Sequence, residues 1–307
     1  MHTNNEFRKY PLLPNELRHH ALTYSYSENR LSYSQCSKKC NAEIKRFSTN
    51  SPVEVGLYHD DDYIIVDLDY LKSADVYTPN SFTLNQARTV FKFSDFLSRE
   101  KTVKHAEKHI IEAFKYSKER STQKVSILAD KWPTKLFECG LFPDLDHLEV
   151  ITSEQLLDSL IEFLETTEIR PTKLSLEKRP FDYQMTDKEK MMRVFQSEVF
   201  KQAETVNIST VCEINDEDFL AFNNPNIALE LAHRKISDEA IREKIWEMED
   251  SPMRHTLSIS ASLDSLDSQG RGIFRWQRQD WVPNNVKVRV NVLNETYILK
   301  ICSEPNI

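Results

Sequence analysis

Glycine is almost missing from this chain. Only four occur in 307 residues, at positions 56, 140, 270 and 272. Loops that cradle phosphates need backbone stripped of side chains, so a dinucleotide-binding or P-loop domain is excluded. Long apolar runs are missing too: none approaches the ~20 residues of a membrane span. The opening string MHTNNEFRKY lacks the apolar centre of a secretory signal. The five cysteines form no paired framework, which fits a reducing compartment. The expected location is therefore the cytoplasm, the nucleus or both. An excess of positive charge is also absent. The formal net charge is −8, which disfavours nucleic acid as a partner.

Enough remains for a core, with 39 % hydrophobic and 29 % charged residues. The charge is uneven. Residues 1–120 hold 18 Lys/Arg against 16 Asp/Glu, and residues 121–307 hold 22 against 32. Segment 8–46 carries eight basic and three acidic side chains. A basic module on an acidic body suits an acidic docking partner, and the acidic body itself favours a basic target segment.

Within residues 8–47, Pro14 suits the first turn of a helix, where its missing N–H costs nothing. Leu17, Ala21 and Leu22 share one stripe of that helix, and short helices are expected at 28–37 and 40–47. Residues 53–70 alternate as a β-hairpin turning at His59–Asp62, and residues 98–118 carry Val103, Ala106, Ile110, Ile111 and Phe114 at helical spacing. The two form a connecting region, 53–120.

From residue 121 a unit recurs. Short strands are expected at 125–128, 148–150, 174–176, 206–208, 227–229 and 257–259, with starts 23, 26, 32, 21 and 30 residues apart. Helical stripes stand between most of them: Leu156 to Leu164, then Met191, Met192, Phe195 and Val199, then Ile241, Ile245 and Met248. Thr152…Gln155 and Thr186…Glu189 read as capping boxes, and Asn215…Asp218 as an Asx cap. A strand–helix period of 20–30 residues is that of leucine-rich-repeat-like solenoids, whose units bury their apolar faces on each other. The fold class is thus α/β: a short helical module, then a degenerate strand–helix solenoid over 121–307. A general α/β layer protein is the alternative. Residues 286–302 alternate around Asn294-Glu295 as a closing hairpin.

Candidates for chemistry are few. Cys36, Cys40, His19 and His20 make a poor zinc set, because adjacent histidines diverge on a helix. Cys139, Cys212 and Cys302 have no histidine at a helpful spacing. The pairs Asp67/Asp69 and Asp144/Asp146 read as solvent-facing alternation and as a turn. Trp132, Trp246, Trp276 and Trp281 read as core or anchor residues, and Arg271, Arg275 and Arg278 with nearby tryptophans as an Arg-aromatic contact patch. No catalytic residue, cofactor or metal is expected.

Two strings carry a family likeness. Tyr10-Pro11-Leu12-Leu13-Pro14 opens the first module, and Leu31-Ser32-Tyr33-Ser34-Gln35-Cys36-Ser37-Lys38-Lys39 closes it. They resemble, without a gap, the F-box of the large nematode family of F-box proteins. Phe219-Leu220-Ala221-Phe222-Asn223, Ile227 to Leu231, and Ile236 to Ile241 followed by Trp246 are similar to that family's F-box-associated, leucine-rich-repeat-like C-terminal domain. The resemblance implies a substrate-recognition subunit of a cullin-RING, SCF-type E3 ubiquitin ligase. Leu12, Leu13, Pro14, Leu17, Leu22, Leu31 and Cys36 would bind a Skp-type adaptor and, through it, a cullin scaffold. The C-terminal domain would hold an unknown protein substrate. The sequence departs from the family at Ala21, Ser25, Ser27 and Arg30, where larger apolar residues or a Pro are usual. Those positions define the alternative, an interaction scaffold whose module does not hold the adaptor. A third reading is an enzyme on the α/β half.

Overall fold

The six apolar triplets of the second half become strands where their alternation places them. A computed structural model of the chain describes residues 54–71, 84–92, 98–114, 122–178, 187–209, 212–231, 236–250, 253–262, 285–293 and 296–303. The helical module at 8–47 and the Arg-Trp stretch at 271–281 lie outside them. The chain divides into two compact units. One is Met1–Val125 with Pro133–Asp144, and the other is Ser126–Trp132 with Leu145–Ile307.

In the first unit β1 (Glu54–His59) and β2 (Tyr63–Leu71) form the expected antiparallel hairpin. A third strand, β3 (Leu84–Lys92), pairs antiparallel with β2 and has no counterpart in the sequence reading. It changes the account of Asp67. That carboxylate does not face solvent: it is 8 % exposed and takes two 2.8 Å hydrogen bonds from the Arg88 guanidinium on β3. The bidentate fork offsets the cost of burying the charge. Helix α1 (Arg99–Phe114) buries Thr102, Ala106, Ile110 and Phe114, so the buried stripe begins at Thr102 rather than Val103. Thr102 hides its hydroxyl by donating to the Ser98 carbonyl. Phe114 and Phe137 both pack edge-on against Phe142, which holds 133–144 and α2 (Thr134–Glu138) in this unit. Gly140, at φ 59°, ends α2 in the left-handed conformation open to glycine.

The larger unit takes the part of β4 (Lys124–Leu128) from Ser126 on, then β5 (His147–Thr152), β6 (Lys173–Lys178), β7 (Thr205–Ser209), β8 (Asn226–Leu231) and β9 (Thr256–Ser262) in sequence order. Pairing is parallel from β5 through β9. The hairpin β10 (Val286–Leu293) and β11 (Thr296–Ser303) closes the sheet, with β11 antiparallel to β9. The crossovers carry α3 (Glu154–Thr166), α4 (Lys188–Gln196), α5 (Glu198–Gln202), α6 (Asp216–Leu220) and α7 (Asp238–Asp250). From β4 to β9 strand order follows the chain, so right-handed crossovers stack α3 to α7 on one face.

Burial follows that geometry. Leu148, Leu174, Val206, Ile227 and Leu257 share one register row, and Val150, Leu176, Ile208, Leu229 and Ile259 another, all buried. The first residue of each of β6 to β9, and the last residue of antiparallel β11, donates its N–H to the residue before a neighbouring strand. Lys173 donates to Asp146, Thr205 to Thr172, Asn226 to Glu204, Thr256 to Pro225 and Ser303 to His255, at 2.8–3.0 Å.

Two of the three expected caps sit one residue from their expected places, and the third is where it was expected. Ser153, not Thr152, caps α3, because the Thr152 hydroxyl donates across to the Glu177 carbonyl. Asp187 caps α4. Asn215 and Asp218 make a complete capping box on α6. The stripe from Met191 to Val199 is two helices, interrupted at Ser197, which caps α5 through the Phe200 N–H.

Candidate functional site

With helices on one face, the other face of the larger sheet presents the remaining parity of side chains. Register places them in three rows. The first runs His147, Lys173, Thr205, Asn226, Thr256, Cys302, Lys287. The middle row runs Glu149, Ser175, Asn207, Ala228, Ser258, Lys300, Arg289. The third runs Ile151, Glu177, Ser209, Glu230, Ser260, Ile298. Seven strands at ~4.8 Å give a platform about 29 Å across, the reach of roughly nine extended residues. Such a face offers hydrogen bonds and charge to a polymer laid across it.

The rows differ along their length. Between β4 and β8 the polar groups bond sideways. Ser126 donates to Glu149, His147 Nε2 meets Ser175 Oγ at 2.8 Å, Asn207 Nδ2 donates to Ser175 at 3.2 Å, and Ser209 donates to Glu230 at 2.6 Å. Among the described residues, the side chains of Ser258, Ser260, Lys300 and Arg289 make no such bond.

Among the described residues of the helix layer, Cys212, Asp218 and Lys244 are buried. Cys212 is buried, and desolvation first, then the Asp218 carboxylate, push its thiol up to about 12. At neutral pH it is not a nucleophile. Exposed Cys139 is expected to alkylate rapidly in the native protein, and Cys212 only on unfolding. Peptide mapping after a timed iodoacetamide pulse checks this, and equal labelling of the two would contradict it. Asp218 itself is ion-paired with Lys188 at 2.7 Å and belongs to the α6 capping box. Lys244 is buried on α7. It donates to the Leu220 carbonyl at 3.2 Å and to Glu247 at 2.7 Å, finishing the C-terminal end of α6. Among the described residues no three His, Cys, Asp or Glu side chains gather as metal ligands.

His255, before β9, has its pKa lowered from 6.5, by burial first and by the Lys244 charge second. The unfolded chain therefore takes up this proton before the folded one. Stability is expected to be full above pH 6.5 and to fall as pH drops below it. Melting curves of the wild type and His255→Gln between pH 7.5 and 5 read the difference. The variant should lose part of the acid slope, and an unchanged slope would contradict the assignment.

The sequence-derived site residues fall in two places. Leu12, Leu13, Pro14, Leu17, Leu22, Leu31 and Cys36 lie outside the described residues. Trp132 is buried and stacks on Phe163 at 4.7 Å. Trp246 is not core: it stands 54 % exposed on α7. The three rows were missed at first, because their parity becomes a surface only when the registers are known. Among the described residues, no helix is long and apolar enough to cross a membrane. Compared with family models, curated proteins and solved structures, the chain matches none.

Proposed function

We propose that this chain is the substrate-receptor subunit of an SCF-type ubiquitin ligase. Residues 8–47 act as the F-box and dock a Skp-type adaptor, and through it a cullin. The larger unit is a degenerate leucine-rich-repeat-like solenoid whose outward face holds a protein target. The observation that carries this reading is the parallel sheet β5–β9 with its helices on one face, which leaves a broad polar face with no helix from the described residues on it. The hydrogen bond donated by the first residue of each of β6 to β9 supports the solenoid part. The adaptor part rests on the Leu12-Leu13-Pro14 and Cys36-Ser37-Lys38-Lys39 resemblance.

The mechanism is proximity. Docking raises the local concentration of the target near a ubiquitin-charged enzyme that the other subunits recruit, so this chain makes and breaks no bond. Proximity labelling from the full chain, with and without proteasome inhibition, tests the reading. Adaptor, cullin and a target that accumulates under inhibition are expected. Labelled neighbours lacking both adaptor and cullin would favour the scaffold alternative, in which Ala21, Ser25, Ser27 and Arg30 have removed docking.

A further inference from the structure

The larger unit lies in the acidic part of the chain, yet its outward face is not acidic throughout. Its carboxylates, Glu149, Glu177 and Glu230, stand on β5, β6 and β8. The outward positions of β9, β11 and β10 with described side chains hold none. They hold Thr256, Ser258, Ser260, Ile298, Lys300, Cys302, Lys287 and Arg289. Arg289 and Lys300 are direct cross-strand partners, both exposed, and neither has an ion-pair partner among the described residues. Like charges directly opposite each other oppose sheet formation. A carboxylate at either position would remove that repulsion within the fold, but an external anion can do so too. Ser258, in the same row beside Lys300, adds a hydroxyl that makes no hydrogen bond to a described residue.

We propose that the β9–β11–β10 end of the outward face binds an acidic peptide segment of the target, one with carboxylates on alternate residues. In an extended peptide residues i and i+2 project from one side about 7 Å apart. Facing Arg and Lys side chains, rooted about 5 Å apart, reach two such groups. The Arg289 fork suits a bidentate carboxylate, and Lys300 meets its neighbour as a point charge. This reverses the expectation of a basic target drawn from the net charge. It deepens the receptor reading and rests on it for the target being a protein.

The test uses the full chain and a fluorescein-labelled peptide of alternating Glu and Ser, about ten residues long. Fluorescence anisotropy is expected to show binding that weakens as salt rises. A peptide of alternating Gln and Ser should not bind. Arg289→Glu with Lys300→Glu is expected to weaken the acidic peptide at least tenfold, whereas Lys201→Glu on the helix layer leaves it unchanged. Arg289→Glu alone supplies a second signature. It places a carboxylate opposite Lys300, so Tm should rise by about 1–2 °C while peptide affinity falls. A position kept only for structure would not lose binding as it gains stability. Equal binding of the Gln peptide, or equal loss in Lys201→Glu, would overturn the proposal. So would a double variant that still folds, by its circular dichroism, and still binds. Adaptor binding measured on the same preparation separates the two readings: its loss leaves the peptide result standing, and its retention without peptide binding overturns this inference alone.

Discussion

Aspartates at Leu12, Leu13 and Leu17 together are expected to lower affinity for a Skp-type adaptor by at least a thousandfold, leaving the folded larger unit intact. The magnitude follows from burial. Each leucine that leaves water on docking contributes about 1.5–3 kcal/mol, so three contribute roughly 4–9 kcal/mol. Every 1.4 kcal/mol is a factor of about ten, which places the loss at three to six orders of magnitude before charge burial is added. Titration calorimetry on the full-length wild type and variant reads it, with thermal melting as the control for folding. A loss below about tenfold would move the docking surface elsewhere. The basic balance of 8–46 adds a second expectation, that wild-type association slows as salt rises.

Phe200→Ala is expected to destabilise the larger unit by about 3–5 kcal/mol, the largest effect of any single substitution considered for it. Phe200 is 1 % exposed. Its ring lies 5.1 Å from Phe195 and 5.3 Å from Phe222, which are themselves 5.2 Å apart. The three rings come from α4, α5 and the turn after α6, so they tie two successive crossovers together. Asn224 reinforces the same joint. It is 3 % exposed, and its Nδ2 donates to the carbonyls of Phe200 at 2.7 Å and Ala203 at 2.9 Å. Asn224→Leu keeps the volume but takes a donor from both carbonyls, leaving Phe200 only the Ala203 N–H, and should cost about 1–3 kcal/mol. The two changes touch one joint and should not add. Equilibrium urea unfolding measures both, and a Phe200→Ala cost below 1 kcal/mol would show that the joint collapses without loss.

These residues also show what the sequence can and cannot carry. The strands were legible because each needs only a short alternation, such as Leu174-Ser175-Leu176, and because every second residue meets the helix layer. Asn215…Asp218 was legible because a capping box is local. The failures were non-local. Strand β3 carries Arg88 at its centre, which reads as loop until Asp67 on β2 is seen to receive it. Thr152 was misread as a cap because its hydroxyl is spent on Glu177 of the next strand. Ser197 breaks a hydrophobic stripe that looks continuous, since its own hydroxyl and the Phe200 N–H end one helix and start another. The site failed for the same reason on a larger scale. Arg289 and Lys300 become neighbours only through the register of the β10–β11 hairpin, and Ser258 joins them only through β11 pairing with β9. Residue type alone reads Trp246 as core or anchor; it is exposed, and its neighbours Ile245 and Met248 supply the buried stripe of α7.

The proposed function is to link a ligase to a target through an adaptor. The most direct measurement is a titration of the full-length protein with a purified Skp-type adaptor. Saturable one-to-one binding tighter than about ten micromolar, lost on placing aspartates at Leu12, Leu13 and Leu17, is the predicted result. No binding above background at tens of micromolar would contradict it.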